Sequence, residues 1–304
     1  MLPAELAFGT PRKLPKVKRL SGKVVVLDVA FAGLGGKAGF EKVTLPFITG
    51  LGPRLCAWVD HHDHDEHVRF VDDPRFVLRT KAQHGACPEM ITPELVERMG
   101  PYETVVCHND FDGLASAAKW MLGGEDPYAA CDADAHAIDT RIGCPGPIGD
   151  RFDRALRGRP RDAGLQGLIV RHLYTQLSDD GLWQPIDEAA AELVPVERET
   201  RRAADGYRVY EPGVAFVNIV EGFSRTDRTA LLLMGQERAA VSVVLDKNSV
   251  AVAAAFDSGF DFVKMLKMQG GMPTRISVPA ARLGEVLGAL GMDKSAQRAC
   301  GVDV

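Results

Sequence analysis

Two short segments concentrate the side chains that bind cations and move protons. Asp60–His67 (DHHDHDEH) places four of the chain's eight histidines within eight residues. His108–Gly113 (HNDFDG) alternates one imidazole with two carboxylates, at His108, Asp110 and Asp112. A third candidate is Asp28, a lone carboxylate closing the apolar run Val24–Leu27. Two carboxylates about 5 Å apart repel by roughly 3 kcal/mol at an effective dielectric near 20. Asp28, Asp60, Asp110 and Asp112 gathered in one place would therefore be strained without cations. Two divalent ions would cancel most of that repulsion. Mixed imidazole and carboxylate ligands without thiolate suit manganese, and less well cobalt or magnesium. Structural zinc sites favour Cys with His, and Cys56, Cys87, Cys107, Cys131, Cys144 and Cys300 have no such spacing.

Each segment directly follows a run that reads as a strand: Lys23–Ala30, Leu55–Asp60 and Thr104–His108. A helical stretch, Leu114–Leu122, comes straight after the last. Continuous apolar strands alternating with helices imply a parallel sheet covered on both faces. The C-terminal ends of such strands share one edge, and ligands bind there. Three strands delivering Asp or His to that edge would build one site. Asp187–Asp205 is charged and helix-prone, interrupted at Pro195, and reads as a connector. Beyond it, Val214–Val220, Ala239–Asp246 and Ser249–Phe256 read as strands, with helices at Arg228–Gly235 and Arg282–Leu290. The expected organisation is a parallel-sheet α/β domain over 1–190, a connecting helix or linker over 191–212, and a smaller α/β domain over 213–304.

Length and composition agree with this division. A chain of 304 residues, 46% apolar and 25% charged, is long enough for two cores and too apolar for a disordered chain. A net charge of -5 argues against a stable duplex nucleic-acid partner held by general basic character. No apolar run approaches the length of a membrane span, and the N-terminus has no apolar h-region. Six scattered cysteines without a CxxC pair read as reduced thiols, and so as a cytoplasmic protein.

HNDFDGLASA (His108–Ala117) and VDHH (Val59–His62) resemble the signature motifs of the DHH phosphoesterase superfamily. That superfamily includes RecJ-type exonucleases, oligoribonucleases, cyclic-dinucleotide phosphodiesterases and family II pyrophosphatases. The resemblance implies a two-manganese site in a DHH domain, followed by a DHH-associated domain. It implies that His108 and Asp110 hold one ion, Asp112 the other, and Asp28 bridges them. His61 would be a further ligand, His62 would face the substrate, and Asp60 would orient an imidazole. Asp139, in the Asp139-Thr140 pair, is the match for the last motif, with Asp134 and Asp132 competing for its role. In the family the H-x-D-x-D-G motif comes first. Here DHH precedes it by nearly fifty residues, as a circular permutation would produce. Asp257–Gly271 and the strand after it resemble the glycine-rich part of the associated domain, although Gly270-Gly271-Met272-Pro273-Thr274-Arg275 lacks the family's GGGH form.

The expected activity is hydrolysis of a phosphate ester or phosphodiester in a nucleotide or short oligonucleotide. A pyrophosphatase-like phosphoanhydride hydrolase and a non-catalytic metal- or nucleotide-binding regulatory module are the alternatives. Gly270, Gly271 and Arg275 are the substrate-binding candidates, Arg275 set against a plain surface arginine beside a tight turn. His64 and His67 read as surface or supporting residues, His84 as part of a solvated loop, and Cys56 and Cys107 as core thiols.

Overall fold

The three apolar runs that precede the motifs must hide every side chain, so both faces of their sheet need cover. The computed structural model, which describes residues 2–33, 39–268 and 272–302, shows how. The chain forms two compact units, Met1–Leu193 and Val194–Val304. Unit one holds a parallel sheet of β1 (Glu5–Phe8), β2 (Val24–Leu27), β3 (Leu55–Asp60), β4 (Phe76–Leu78) and β5 (Thr104–Cys107). The order across this five-stranded sheet is β1-β5-β2-β3-β4. β2 thus runs between the two strands that lead into the motifs. Leu27 is level with Cys107 on one side and with Val59 on the other. The next residue of each strand therefore reaches the sheet edge at the same height.

Alternation along the strands decides which face most side chains cover, and a register irregularity beside Val24 turns Leu55 out of step. Val25, Leu27, Ala57, Val59, Val105 and Cys107 pack into one core. Val24, Val26, Leu55, Trp58 and Val106 pack into another on the opposite face. The second core is closed by α1 (Thr44–Leu51) and an aromatic group in which Phe31 sits edge-on to Trp58 at 5.3 Å. The first is closed by α2 (Pro93–Met99), which precedes β5, and by α3 (Phe111–Met121), α4 (Cys131–Thr140), α5 (Pro147–Gly158), α6 (Ala163–Tyr174) and α7 (Trp183–Ala191) after it. α3 is buried along its whole length, which is why its sequence reads LASAAKWM with small residues against its neighbours.

α8 (Leu193–Ala204) starts at the last residue of unit one and leads into unit two, and its Pro195 falls in the first turn, where no helical N–H is lost. β6 (Arg208–Tyr210) follows and pairs antiparallel with β7 (Val214–Asn218). The stretch 191–212 therefore carries the end of α7, α8 and an edge strand. α9 (Arg228–Gln236), β8 (Val241–Leu245), β9 (Ser249–Ala254), α10 (Phe262–Met265), β10 (Arg275–Pro279), α11 (Leu283–Ala289) and α12 (Lys294–Ala299) complete the unit. Its sheet is mixed, in the order β10-β9-β8-β7-β6. Val243, Val250 and Val252 face one core, while Val244, Ala251 and Ala253 face the other. No helix among the described residues is long and apolar enough to cross a membrane.

α5 and α7 meet at Gly158, where a Cβ would lie 2.1 Å from the Ala189 carbonyl oxygen. Helix propensity alone would favour alanine there by about 1 kcal/mol. A backbone clash outweighs that gain, so Gly158→Ala should lower the urea midpoint, at a cost of about 1–3 kcal/mol. A raised midpoint would show that the two helices separate freely.

Candidate metal centre

The site is built outward from Asp28. As the residue after the central strand β2, it lies between the ends of β3 and β5. Its N–H donates to the Val59 carbonyl at 2.9 Å, while His108 N–H donates to the Leu27 carbonyl at 3.2 Å. Its φ of 55° is left-handed, a conformation that aspartate tolerates better than most residues. The carboxylate is 1% exposed, yet neither oxygen has a hydrogen-bond partner. Oδ1 lies 3.3 Å from His61 Nε2, and Oδ2 lies 3.7 Å from His108 Nδ1. Burial, then the Asp110 charge, raise its pKa against the pull of the histidines.

His61 is fully buried and its orientation is fixed from behind. Nδ1 lies 2.9 Å from the His84 carbonyl, which can only accept, so Nδ1 carries a hydrogen. Nε2 then faces Asp28 Oδ1 at 3.3 Å, Asp112 Oδ2 at 3.2 Å and Asp139 Oδ2 at 3.6 Å. A neutral ring would aim a lone pair at three carboxylates, an arrangement that needs a cation between them. Without one, a second proton fills the gap: burial alone would lower this imidazole's pKa, but Asp112 and Asp28 push it up to about 12. Asp112, on the first turn of α3, accepts from the Cys87 amide at 3.0 Å through Oδ1, leaving Oδ2 buried without a partner. Burial and the Asp28 charge push its carboxyl up to about 8, despite His61.

The HNDFDG segment turns from β5 into α3. Asp110 caps the helix, accepting from the Gly113 amide at 3.2 Å, and its Oδ2 lies 2.8 Å from His108 Nδ1. Burial works against protonation of His108, but Asp110 and then Asp28 push it up to about 10. Gly113 is required by contact: a Cβ there would sit 2.5 Å from the His108 carbonyl oxygen. Asp60, wholly buried, holds His62 Nδ1 at 2.9 Å and raises its pKa against burial. His62 is the imidazole that Asp60 orients, and it remains partly exposed.

Three overlapping sets of these side chains could hold a metal ion, among them Asp28–His108–Asp110 and His61–Asp112–Asp139, each with its donor atoms within 4.8 Å of one another. Asp28 also groups with His61 and His62, so it reaches toward both sets. Asp139, at the end of α4, is the acidic residue of its helix that joins a group. Asp134 instead accepts from Tyr128 Oη at 2.7 Å and from the Gly146 and Gly149 amides, which holds the start of α5. Asp132 pairs with Lys119 at 2.6 Å. His64 and His67 pack against Phe31 and belong to no ligand group among the described residues.

No protein-family model matches the chain, and comparison with curated proteins finds no relative. Solved structures similar to it include two that illustrate the likeness. One is a pGpG-specific phosphodiesterase, PggH from Vibrio cholerae, at 13% identity and a TM-score of 0.41, covering 92% of this chain and 100% of that one. The other is the DHH domain of PF0399, a member of the s1p family of ribosomal proteins, at 14% identity and a TM-score of 0.41. That second match covers 82% of this chain and 64% of the other. Both likenesses are remote. The chemistry below rests on this chain's own side chains.

A divalent cation fits what these side chains offer. Asp28 Oδ1 and Oδ2, His61 Nε2 and Asp112 Oδ2 are all buried without a hydrogen bond. Leaving so many polar atoms unpaired in one place is costly, and a shared cation satisfies them together. Oxygen and imidazole donors without thiolate suit a hard or borderline ion.

Three supporting groups carry no sequence signal of their own. The His84 carbonyl, the Cys87 amide and Lys81 all lie in the loop after the short edge strand β4. Lys81 is 9% exposed, and its Nζ contacts Asp139 Oδ2. Arg275 opens β10 in unit two, its guanidinium 2.6 Å from Thr229 Oγ1. Gly270 and Gly271 lie outside the described residues.

Two outcomes follow from this geometry. With His61 and His108 titrating near 12 and 10 in the metal-free protein, a metal must displace at least one proton at neutral pH. Affinity should rise from pH 7 toward 10, by up to about tenfold per pH unit for each proton displaced. Calorimetry in buffers of different ionisation enthalpy would read the released protons; pH-independent binding would place the imidazoles outside the ligand set. Gly113→Ala should move His108 and cut affinity at its group at least about tenfold, the usual scale for disturbing a ligand's support. Manganese titration would detect the loss.

Proposed function

We propose that this chain is a divalent-metal-dependent phosphoesterase of the DHH superfamily, acting on a phosphate ester or phosphodiester of a nucleotide or short oligonucleotide. The observation that carries the reading is Asp28, a buried carboxylate without hydrogen bonds that belongs to one potential metal-holding group with His108 and Asp110 and to another with His61 and His62, and so links them. A carboxylate shared between two such groups is suited to a pair of closely spaced ions. Manganese is the ion the donor set favours, with cobalt and magnesium next. When bound, such a pair supplies an activated water and neutralises charge on the phosphoryl oxygens.

The protein's own groups do the rest. Asp28, Asp110, Asp112 and Asp139, with His61 and His108, would hold the ions. The His84 carbonyl and the Cys87 amide keep His61 and Asp112 turned inward. His62 is suited to meet the substrate. Its Nδ1 is tied to Asp60 while the ring stays partly exposed, so Nε2 can hydrogen-bond a phosphoryl oxygen or protonate a leaving oxygen. Arg275 remains a candidate for a substrate phosphate, with Gly270 and Gly271 beside it in the sequence.

Activity screens with added manganese, magnesium or cobalt should use short oligonucleotides, cyclic dinucleotides, pAp and pyrophosphate. Turnover of an ester with manganese is expected. Asp112→Asn should lower kcat/KM by at least about a hundredfold and reduce metal content while the circular dichroism spectrum is kept. His62→Ala should lower kcat by about 10²–10⁴ with metal content unchanged. A metal-loaded protein inert toward every ester would overturn the reading, and turnover of pyrophosphate alone would replace it with the phosphoanhydride alternative.

A further inference from the structure

The His61–Asp112–Asp139 group already contains a cation of the protein's own. The Lys81 ammonium rests on Asp139 Oδ2, the same oxygen that faces His61 Nε2 at 3.6 Å. Side-chain exposure is 8% for Lys81 and 19% for Asp139, so water does little to screen the pair. The backbone beneath the lysine is anchored. Arg79 N–H donates to the Asp60 carbonyl at 2.9 Å, Lys81 N–H reaches Asp63 Oδ2 at 3.4 Å, and His84 N–H closes the turn onto the Thr80 carbonyl at 3.1 Å. The four-carbon stem is the part that can move.

We propose that Lys81 is a tethered cation that holds Asp139 until a metal enters the His61–Asp112–Asp139 group, and that then receives the substrate phosphate. The inference rests on the metal-dependent reading above. An ion entering that group needs Asp139 Oδ2 and is repelled by the ammonium beside it, so Lys81 weakens this site relative to the Asp28–His108–Asp110 group. Once the ion takes the carboxylate, the ammonium loses its partner at the edge of the metal centre. A compact cation with three donors is well suited to phosphate oxygens. Lys81 thus makes the second ion the exchangeable one and adds a positive charge where the phosphate arrives.

Removing the charge should move two binding constants in opposite directions, which a merely structural lysine would not do. Chelator-treated protein is titrated with manganese, and manganese-loaded protein with inorganic phosphate, both by calorimetry. Lys81→Met should tighten the weaker manganese site tenfold or more, with a smaller effect on the tighter site, and should weaken phosphate binding tenfold or more. Lys81→Arg, which keeps the charge, should show much smaller shifts. Lys81→Gln supplies a polar neutral variant should the methionine protein fail to fold. Unchanged or weaker binding at the second manganese site would overturn the proposal, as would unchanged phosphate binding. Both shifts together with no turnover on any ester would uphold Lys81 and overturn the phosphoesterase reading instead.

Discussion

Everything in unit one answers to the crowding of negative charge at the ends of three neighbouring strands. Asp28, Asp60 and Asp112 are each almost wholly buried, at 1%, 0% and 2% exposure. Such groups would ordinarily be driven apart or neutralised. Here the sheet leaves no such freedom. β2 lies between β3 and β5 in level register, so the residues that follow are brought together by the backbone ladder itself. The protein tolerates the arrangement by interleaving imidazoles, with His61 and His108 acting as counter-charges wherever no metal does.

Support for this cluster comes mainly from main-chain groups. The His84 carbonyl turns His61, and the Cys87 amide holds one oxygen of Asp112 while leaving the other free to bind. Both come from the loop after β4, whose start is tied to β3 by the Arg79 N–H on the Asp60 carbonyl. Backbone partners are rigid and cannot titrate, so they fix ligand direction at any pH. Gly113 shows the same economy from the other side, since the α3 turn closes on His108 only because no Cβ intervenes.

The two units solve the problem of covering a sheet differently. The parallel sheet of unit one has helices on both faces, and the interiors of its central strands β2, β3 and β5 are apolar. The mixed sheet of unit two shows a small-residue face, with Ala251 and Ala253, against α8 and α9, and a larger valine and leucine face against α11. The central strands of both sheets were readable because continuous apolar runs leave few other options, whereas the short edge strands β1, β4 and β6 carried no such run.

The sequence by itself determined the chemistry on offer. Histidine and aspartate at these spacings, directly after apolar runs, marked Asp28, His61, His108, Asp110 and Asp112, because strand ends in a parallel sheet share one edge. It also placed β3 at Leu55–Asp60, where six apolar-rich residues end on a carboxylate. It left Asp139, Asp134 and Asp132 in competition, since all three lie on α4 within eight residues. Only packing separated them: Asp139, about two turns along α4 from Asp132 and on nearly the same face, meets His61, while Asp132 pairs with Lys119 and Asp134, on another face, is consumed by the amides at the start of α5. Lys81 and the His84 carbonyl were likewise invisible, for a lysine or a carbonyl in a loop gains meaning only from what lies opposite it. β4 is three residues long and too short for its pattern to speak. Residue type and spacing define which groups can bind, whereas which of them face one another is a property of the folded backbone.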